Sequence, residues 1–295
     1  MSENHSRTRQ VIRGGHMPRI HWRQLLLGLG LTSALLSVAS AGQIVYRKAA
    51  FQDEFGGAAN SPPDPTKWTS EIGGWGWGNQ ELEYYTNSTE NAYRDGDGSL
   101  VIKAVKLSSP LSLSCWYGPC QYTSARLITK QKFDIKYGRF EARIKVPRGQ
   151  GVWPAFWLLG NDIDSVGWPQ CGEIDIMENI GREPSTVHGT VHGPGYSGDQ
   201  GISAPYSLPG GSPFADNFHV FVLEWSENRI SWYVDGKIYK TVRPQDLPAG
   251  KQWVYDHPFF IILNFAVGGG WPGNPDGTTV FPQTMMVDYV RVYRR

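Results

Sequence analysis

The stretch Gly138-Arg139-Phe140-Glu141-Ala142-Arg143-Ile144-Lys145-Val146 sets apolar Phe140, Ala142, Ile144 and Val146 in alternation with charged Glu141, Arg143 and Lys145. A period of two puts each set on its own face of a β-strand, so the segment predicts a strand with one buried and one wetted side. Segments 99–105 and 287–293 read the same way. Between Ile230 and Val242, Asp235-Gly236 separates two β-rich runs, and that dipeptide predicts a tight hairpin. No segment combines a cap, a helical apolar period and a Gly stop. The chain therefore reads as all-β, a single sandwich of many short strands without repeats or an interdomain linker. Residues 42–50 and Gly193 to Pro213 read as irregular.

The ends bound the class. Arg19 and Arg23 precede an apolar run, Leu25 to Val38, that is followed by Ala39-Ser40-Ala41. A basic segment, a short apolar core and a small-x-small site predict a signal peptide over residues 1–41, cleaved after Ala41. The run is shorter than the roughly 18 residues of a membrane span; an uncleaved anchor is the alternative. The polar stretch before Met17 exceeds what a signal needs, which makes Met17 a second candidate start. The expectation is a secreted or periplasmic protein, free of the membrane after cleavage and monomeric, with residues 42–295 as one domain. All-β domains of ~250 residues are common. Removing residues 1–41 takes away five Arg and one Glu, leaving 23 basic against 26 acidic residues, a net charge of −3. Nucleic-acid binding needs a basic surface, so a neutral partner is expected. Cys115 and Cys120 bracket the turn-rich Trp116-Tyr117-Gly118-Pro119, and export favours a loop disulfide there. Cys171 reads as a packing residue, since a nucleophilic cysteine would need a partnering His and a recognisable context.

The chemistry concentrates in Glu173-Ile174-Asp175-Ile176-Met177-Glu178. On a regular strand Glu173 and Asp175 share a face, and Glu178 points to the other. A one-residue bulge near Ile176-Met177 would return Glu178 to the first face. Like charges aligned on one face repel, but the arrangement suits glycoside hydrolysis. A retaining mechanism needs one ionised carboxylate and one protonated carboxyl about 5–5.5 Å apart, and mutual repulsion separates their pKa values. A metal-binding or solvated acidic edge is the competing reading. Trp153, Phe156, Trp157 and Trp168 lie upstream, and Trp75, Trp77, Tyr84, Tyr85 and Trp271 stand in Gly-rich segments. Aromatic platforms suit the apolar faces of sugars. His188 and His192, four apart, read as the polar face of a neighbouring strand, with His192 contacting substrate; a pair of metal ligands is the alternative.

The sequence resembles glycoside hydrolase family sixteen, in its bacterial laminarinase branch. The match runs through Trp77-Gly-Asn-Gln-Glu-Leu-Glu-Tyr-Tyr85, Ser124-Ala-Arg-Leu-Ile128, Tyr137-Gly-Arg-Phe-Glu141, Val152-Trp-Pro-Ala-Phe-Trp157, the carboxylate run, His188-Gly-Thr-Val-His-Gly-Pro-Gly-Tyr-Ser197 and Gly268-Gly-Gly-Trp-Pro-Gly273. The resemblance implies a concanavalin A-like β-jelly roll with a cleft along its concave sheet. It implies a retaining endo-β-1,3-glucanase with Glu173 as nucleophile, Asp175 assisting it and Glu178 as general acid/base. Asn79, Arg126, Trp153, Trp157, His192 and Trp271 would bind the β-glucan. The chemistry would need no cofactor. A structural calcium is implied on the opposite side, with Asp288 as side-chain ligand and Gly98 as carbonyl donor. Two departures, Gly270 where the branch often has Asn and the Cys115–Cys120 loop, bear on linkage preference. The insertion of Met177 favours the laminarinase form over the compact lichenase form. Alternatives within the resemblance are a lectin-like glucan-binding protein without catalysis, a galactan-cleaving relative and a transglycosylase.

Overall fold

Phe140, Ala142 and Ile144 are fully buried while Glu141 and Arg143 reach solvent, as the alternation requires. This is a computed structural model, and it describes residues 48–109 and 112–294. The expected signal peptide lies outside the described residues.

Two large sheets face each other. One runs in the order Lys237–Val242, Arg229–Val234, His219–Ser226, Gly138–Lys145, Gln283–Tyr293, Leu100–Lys106, Tyr122–Ser124, Glu83–Tyr85. Ala49–Asp53 and Ala92–Arg94 attach beside this path. The other runs Ile202–Ser207, Thr186–His192, Glu173–Glu178, Val152–Gly160, Phe259–Val267, Arg126–Ile128, Thr69–Glu71, with Asp134–Ile135 attached. Pairing is antiparallel apart from Glu83–Tyr85 on Tyr122–Ser124. The Asp235-Gly236 hairpin forms, both residues holding the positive φ of such a turn (49° and 77°). Among the described residues the α-helix is limited to Ile163–Val166.

Between the sheets lies a continuous apolar core that includes Phe140, Phe156, Phe221, Trp225, Trp232, Tyr255 and Phe265. Each such side chain contributes on the order of 1.5–3 kcal/mol on burial. Phe259–Val267 is buried along its whole length. One face joins the main core. The other carries Phe260 and Ile262 into a smaller cluster with Ile128, Leu159 and Cys171, roofed by Trp157. This smaller cluster lies on the same face of the sheet as Trp157 and the acid side chains, beside the site.

The irregular segments of the sequence reading need correction. Ile202–Ser207, inside Gly193 to Pro213, is an edge strand on Thr186–His192, with Pro205 opposite His188. Pro is tolerated on an edge because its missing N–H costs no ladder bond there. Ala49–Asp53 likewise pairs with the last strand.

Candidate active site

The carboxylate strand Glu173–Glu178 carries its acids on one face because its register slips. Against Val152–Gly160, Met177 pairs with Phe156 and Asp175 with Trp157, leaving Ile176 without an opposite number. Against Thr186–His192, Asp175 pairs with Thr190 and Glu178 with His188, again with one residue too many. Ile174, Ile176 and Met177 all enter the main core. Burying two consecutive apolar residues turns the strand so that Glu178 rejoins Glu173 and Asp175. The bulge is held from the opposite sheet: Trp232 donates its indole N–H to the Asp175 carbonyl at 2.7 Å.

Each acid has its own surroundings. Trp168 Nε1 donates to Glu173 Oε2 at 2.5 Å. Asp175 is buried, and its carboxyl is held well above the usual carboxylate range, first by burial, then by the charge of Glu173 and a hydrogen bond to it. Its Oδ2 also lies 3.2 Å from His192 Nε2, without the alignment of a hydrogen bond. Glu178 is likewise pushed well up, by burial and then by the charge of Asp175; the Trp153 indole N–H, 3.1 Å from its Oε1, acts in the other direction. One strand thus holds a hydrogen-bonded glutamate and a second glutamate whose carboxyl is pushed toward its protonated form, the division of labour that acid-assisted displacement requires.

Most of the aromatic and polar residues singled out from sequence lie on the same side of the sheet as these acids. Trp271 packs edge-on against Trp153, ring centroids 5.4 Å apart, and against His188 at 5.1 Å. Arg126 lies between two indoles, 4.8 Å from Trp77 and 4.7 Å from Trp157, with its Nε bonded to Glu71. Trp75 continues the row, 4.1 Å from Trp77. Asn79 donates to Glu81 Oε1 at 2.9 Å. His188 bonds Glu183 at 3.0 Å. Among the described residues the one group with metal-ligand spacing is Glu173, Asp175 and His192, atoms within 4.8 Å of one another; His188 is not in it. Asp288 and Gly98 belong to the other sheet and its approach, and the Asp288 carboxylate pairs with Arg143 at 2.7 Å.

A buried relay beneath the cleft was missed from sequence. Trp157 Nε1 donates to Asn264 Oδ1 at 2.7 Å, Asn264 Nδ2 to the Tyr85 hydroxyl at 3.0 Å, and that hydroxyl to Glu81 Oε2 at 3.1 Å. Glu81 meets Glu83, whose Oε2 accepts from Val267 N–H at 2.6 Å. Both glutamates are raised, burial being the main cause, and Glu83 further by the charge of Glu81. Tyr85, one of the aromatics whose sequence context left platform and core both open, is fully buried, and its role is inside this relay. The available signal was Glu81 and Glu83 alternating with apolar Leu82 at a strand start; nothing local marked that face as buried.

Residues 79–291 match the family model of glycosyl hydrolases family 16. The chain is 42% identical over 262 residues to glucan endo-1,3-beta-glucosidase A1 of Niallia circulans, covering 83% of this chain and 37% of that one. It therefore spans little more than a third of that relative's length. It is 40% identical over 276 residues to the beta-glucanase of Rhodothermus marinus, covering 91% and 93% of the two chains. Among solved structures, the laminarinase catalytic domain of Thermotoga maritima superposes with a TM-score of 0.78 at 50% identity, covering 84% of this chain and 98% of that one. The paired sheets, the bulged acid strand and these similarities agree: the chain belongs to glycosyl hydrolases family 16.

Proposed function

We propose that the protein is a secreted, retaining endo-β-1,3-glucanase acting on β-1,3- or mixed β-1,3-1,4-glucans. The observation that carries this is the bulge at Ile176, which sets Glu173, Asp175 and Glu178 on one face in an aromatic-lined cleft. Glu173 attacks the anomeric carbon while Glu178 passes its proton to the departing glycosidic oxygen, leaving a glycosyl ester on Glu173. Glu178, now ionised, takes a proton from water, whose oxygen displaces Glu173 and restores the β configuration. Asp175, hydrogen-bonded to Glu173, assists and orients the nucleophile. Trp75, Trp77, Trp153, Trp157 and Trp271 offer stacking faces to glucose rings, and Arg126 and Asn79 offer N–H donors. The names of the relatives, a glucan endo-1,3-beta-glucosidase and a laminarinase, support the linkage.

Reducing-sugar release from laminarin, lichenan and agarose tests the substrate; activity on agarose alone would reject it. NMR of the first-formed product tests the mechanism, since an initial α-anomer contradicts double displacement. A mature N-terminus at Gly42 in the culture medium tests export, and the sedimentation coefficient tests the monomer. A structural calcium at Asp288 and Gly98 is supported by the family resemblance alone. The Asp288 carboxylate already neutralises Arg143, a poor fit to a dication site, and no step depends on the ion. An unfolding midpoint indifferent to chelator would remove it.

A further inference from the structure

The Cys115–Cys120 hairpin stands apart from both large sheets. Ser114–Cys115 and Gly118–Pro119 pair only with each other, and the disulfide closes them with a Cα–Cα distance of 5.0 Å. Its two central residues grip the loop from Gly73 to Glu83 at both ends, through backbone at one end and side chains at the other. At the near end the Trp116 backbone N–H donates to the Gly74 carbonyl at 2.8 Å. At the far end Trp116 Nε1 donates to the Glu81 carbonyl at 2.7 Å, and the Tyr117 hydroxyl to the Leu82 carbonyl at 2.6 Å. Gln121 N–H in turn donates to that hydroxyl at 2.9 Å, which fixes the ring. The approach requires glycine: a Cβ on Gly74 would stand 2.6 Å from Cys115 Sγ, and one on Gly76 would stand 2.9 Å from the Trp116 ring.

Between these two anchor points lie Trp75, Trp77 and Asn79. Trp75 is 60% exposed, and its ring begins the row that runs through Trp77 and Arg126 to Trp157, opposite Asp175. The loop also contains Trp77 and Gln80 at positive φ (49° and 61°), a conformation that non-glycine residues adopt only when their surroundings hold them there. Unsupported, so glycine-rich a loop would have to be ordered each time a sugar chain stacked on it, at an entropic cost in affinity. The hairpin's hydrogen bonds supply that order beforehand.

We propose that the disulfide-closed hairpin is a specificity brace, in which Trp116 and Tyr117 act as positioning residues that hold Trp75 and Trp77 as an outer platform for glucose units far from the scissile bond. The enzyme then favours long β-glucan chains over short ones. This rests on the reading of the cleft as a β-glucan site.

The test compares wild type with Trp116→Phe, which keeps a ring and loses the N–H donor, with Tyr117→Phe, and with the double variant Cys115→Ser/Cys120→Ser. Steady-state kinetics are measured on laminarin and on a β-1,3-linked trisaccharide, with unfolding midpoints alongside. The brace predicts a KM for laminarin raised about 5- to 10-fold, a kcat within about twofold and trisaccharide kinetics unchanged. Trp75→Ala, which removes the platform itself, should also raise the KM for laminarin. Variants with wild-type KM on laminarin, or with equal losses on both substrates tracking the folded fraction, overturn the brace and leave the glucanase reading standing. A folded wild type that cleaves no β-glucan overturns both.

Discussion

Trp153 donates its indole N–H to Glu178 Oε1 across 3.1 Å, and this bond opposes the burial and negative charge that act on the same carboxyl. Burial and the charges of Asp175 and Glu173 raise Glu178, whereas the indole N–H favours its ionised form. Trp153→Phe removes the opposing interaction and keeps a stacking ring. The alkaline limb of kcat/KM, set by loss of the acid's proton, should move to higher pH by about one unit, since a charge-assisted hydrogen bond and one pKa unit are of similar size. A pH–rate profile reads this directly. A limb that stays put or moves down would be inconsistent with Glu178 as the acid.

Glu83 gives a stability prediction with a definite sign. Its folded-state pKa is raised, so its stabilising contribution is fully present below the unfolded value near 4.5 and is lost as pH rises through the folded value. Its Oε1 has no donor among its neighbours, and a proton shared with Glu81 satisfies it. Glu83→Gln supplies a fixed donor toward Glu81 and keeps the acceptor for Val267. The variant should match wild type near pH 4 and become progressively more stable than it toward pH 8, by calorimetry. Glu83→Ala, which empties a buried site, should lose about 2–4 kcal/mol at both. A Gln variant whose advantage shrinks with pH would contradict the protonated state.

The bond from Trp232 to the Asp175 carbonyl ties the acid strand to the opposite sheet. Trp232→Phe leaves that carbonyl unpaired in the interior, at a cost of about 1–3 kcal/mol. It also frees the bulge to relax. The expectation is a lower unfolding midpoint together with a kcat reduced about tenfold on laminarin, because small misplacements of reacting groups are costly. A variant with the stability loss and full kcat would show that the bulge keeps its geometry unaided.

Cys171 lies two residues before Glu173, yet burial and the charges of Asp162 and Glu173 push its thiol up to about 12. The thiolate is therefore absent at neutral pH, and reactivity should be absent with it. Iodoacetamide should leave the native enzyme active and label Cys171 only after unfolding. Cys171→Ala should retain kcat. Rapid inactivation of the folded protein would show the thiol to be accessible.

The site was legible from sequence to different depths. The acids and the need for a bulge followed from strand periodicity, because Glu178 is an odd number of positions from Glu173. The residue left unpaired is Ile176 rather than Met177, and this depended on which apolar neighbours the core accepted. The edge strand Ile202–Ser207 was obscured by Pro205 and nearby glycines, which in isolation predict loop. The relay from Trp157 through Asn264 and Tyr85 to Glu81 and Glu83 is bonded between residues up to 179 positions apart, and no local pattern marks such pairs.

Sequence by itself determined the all-β class, the family and the identity of the three acids, because alternation, turn dipeptides and short motifs act over a few residues. Only the tertiary structure decided which of the acids have their carboxyls pushed up. That choice depends on burial and on Trp153, Trp168 and His192 arriving from other segments, and dielectric and distance are properties of the packed molecule rather than of the chain.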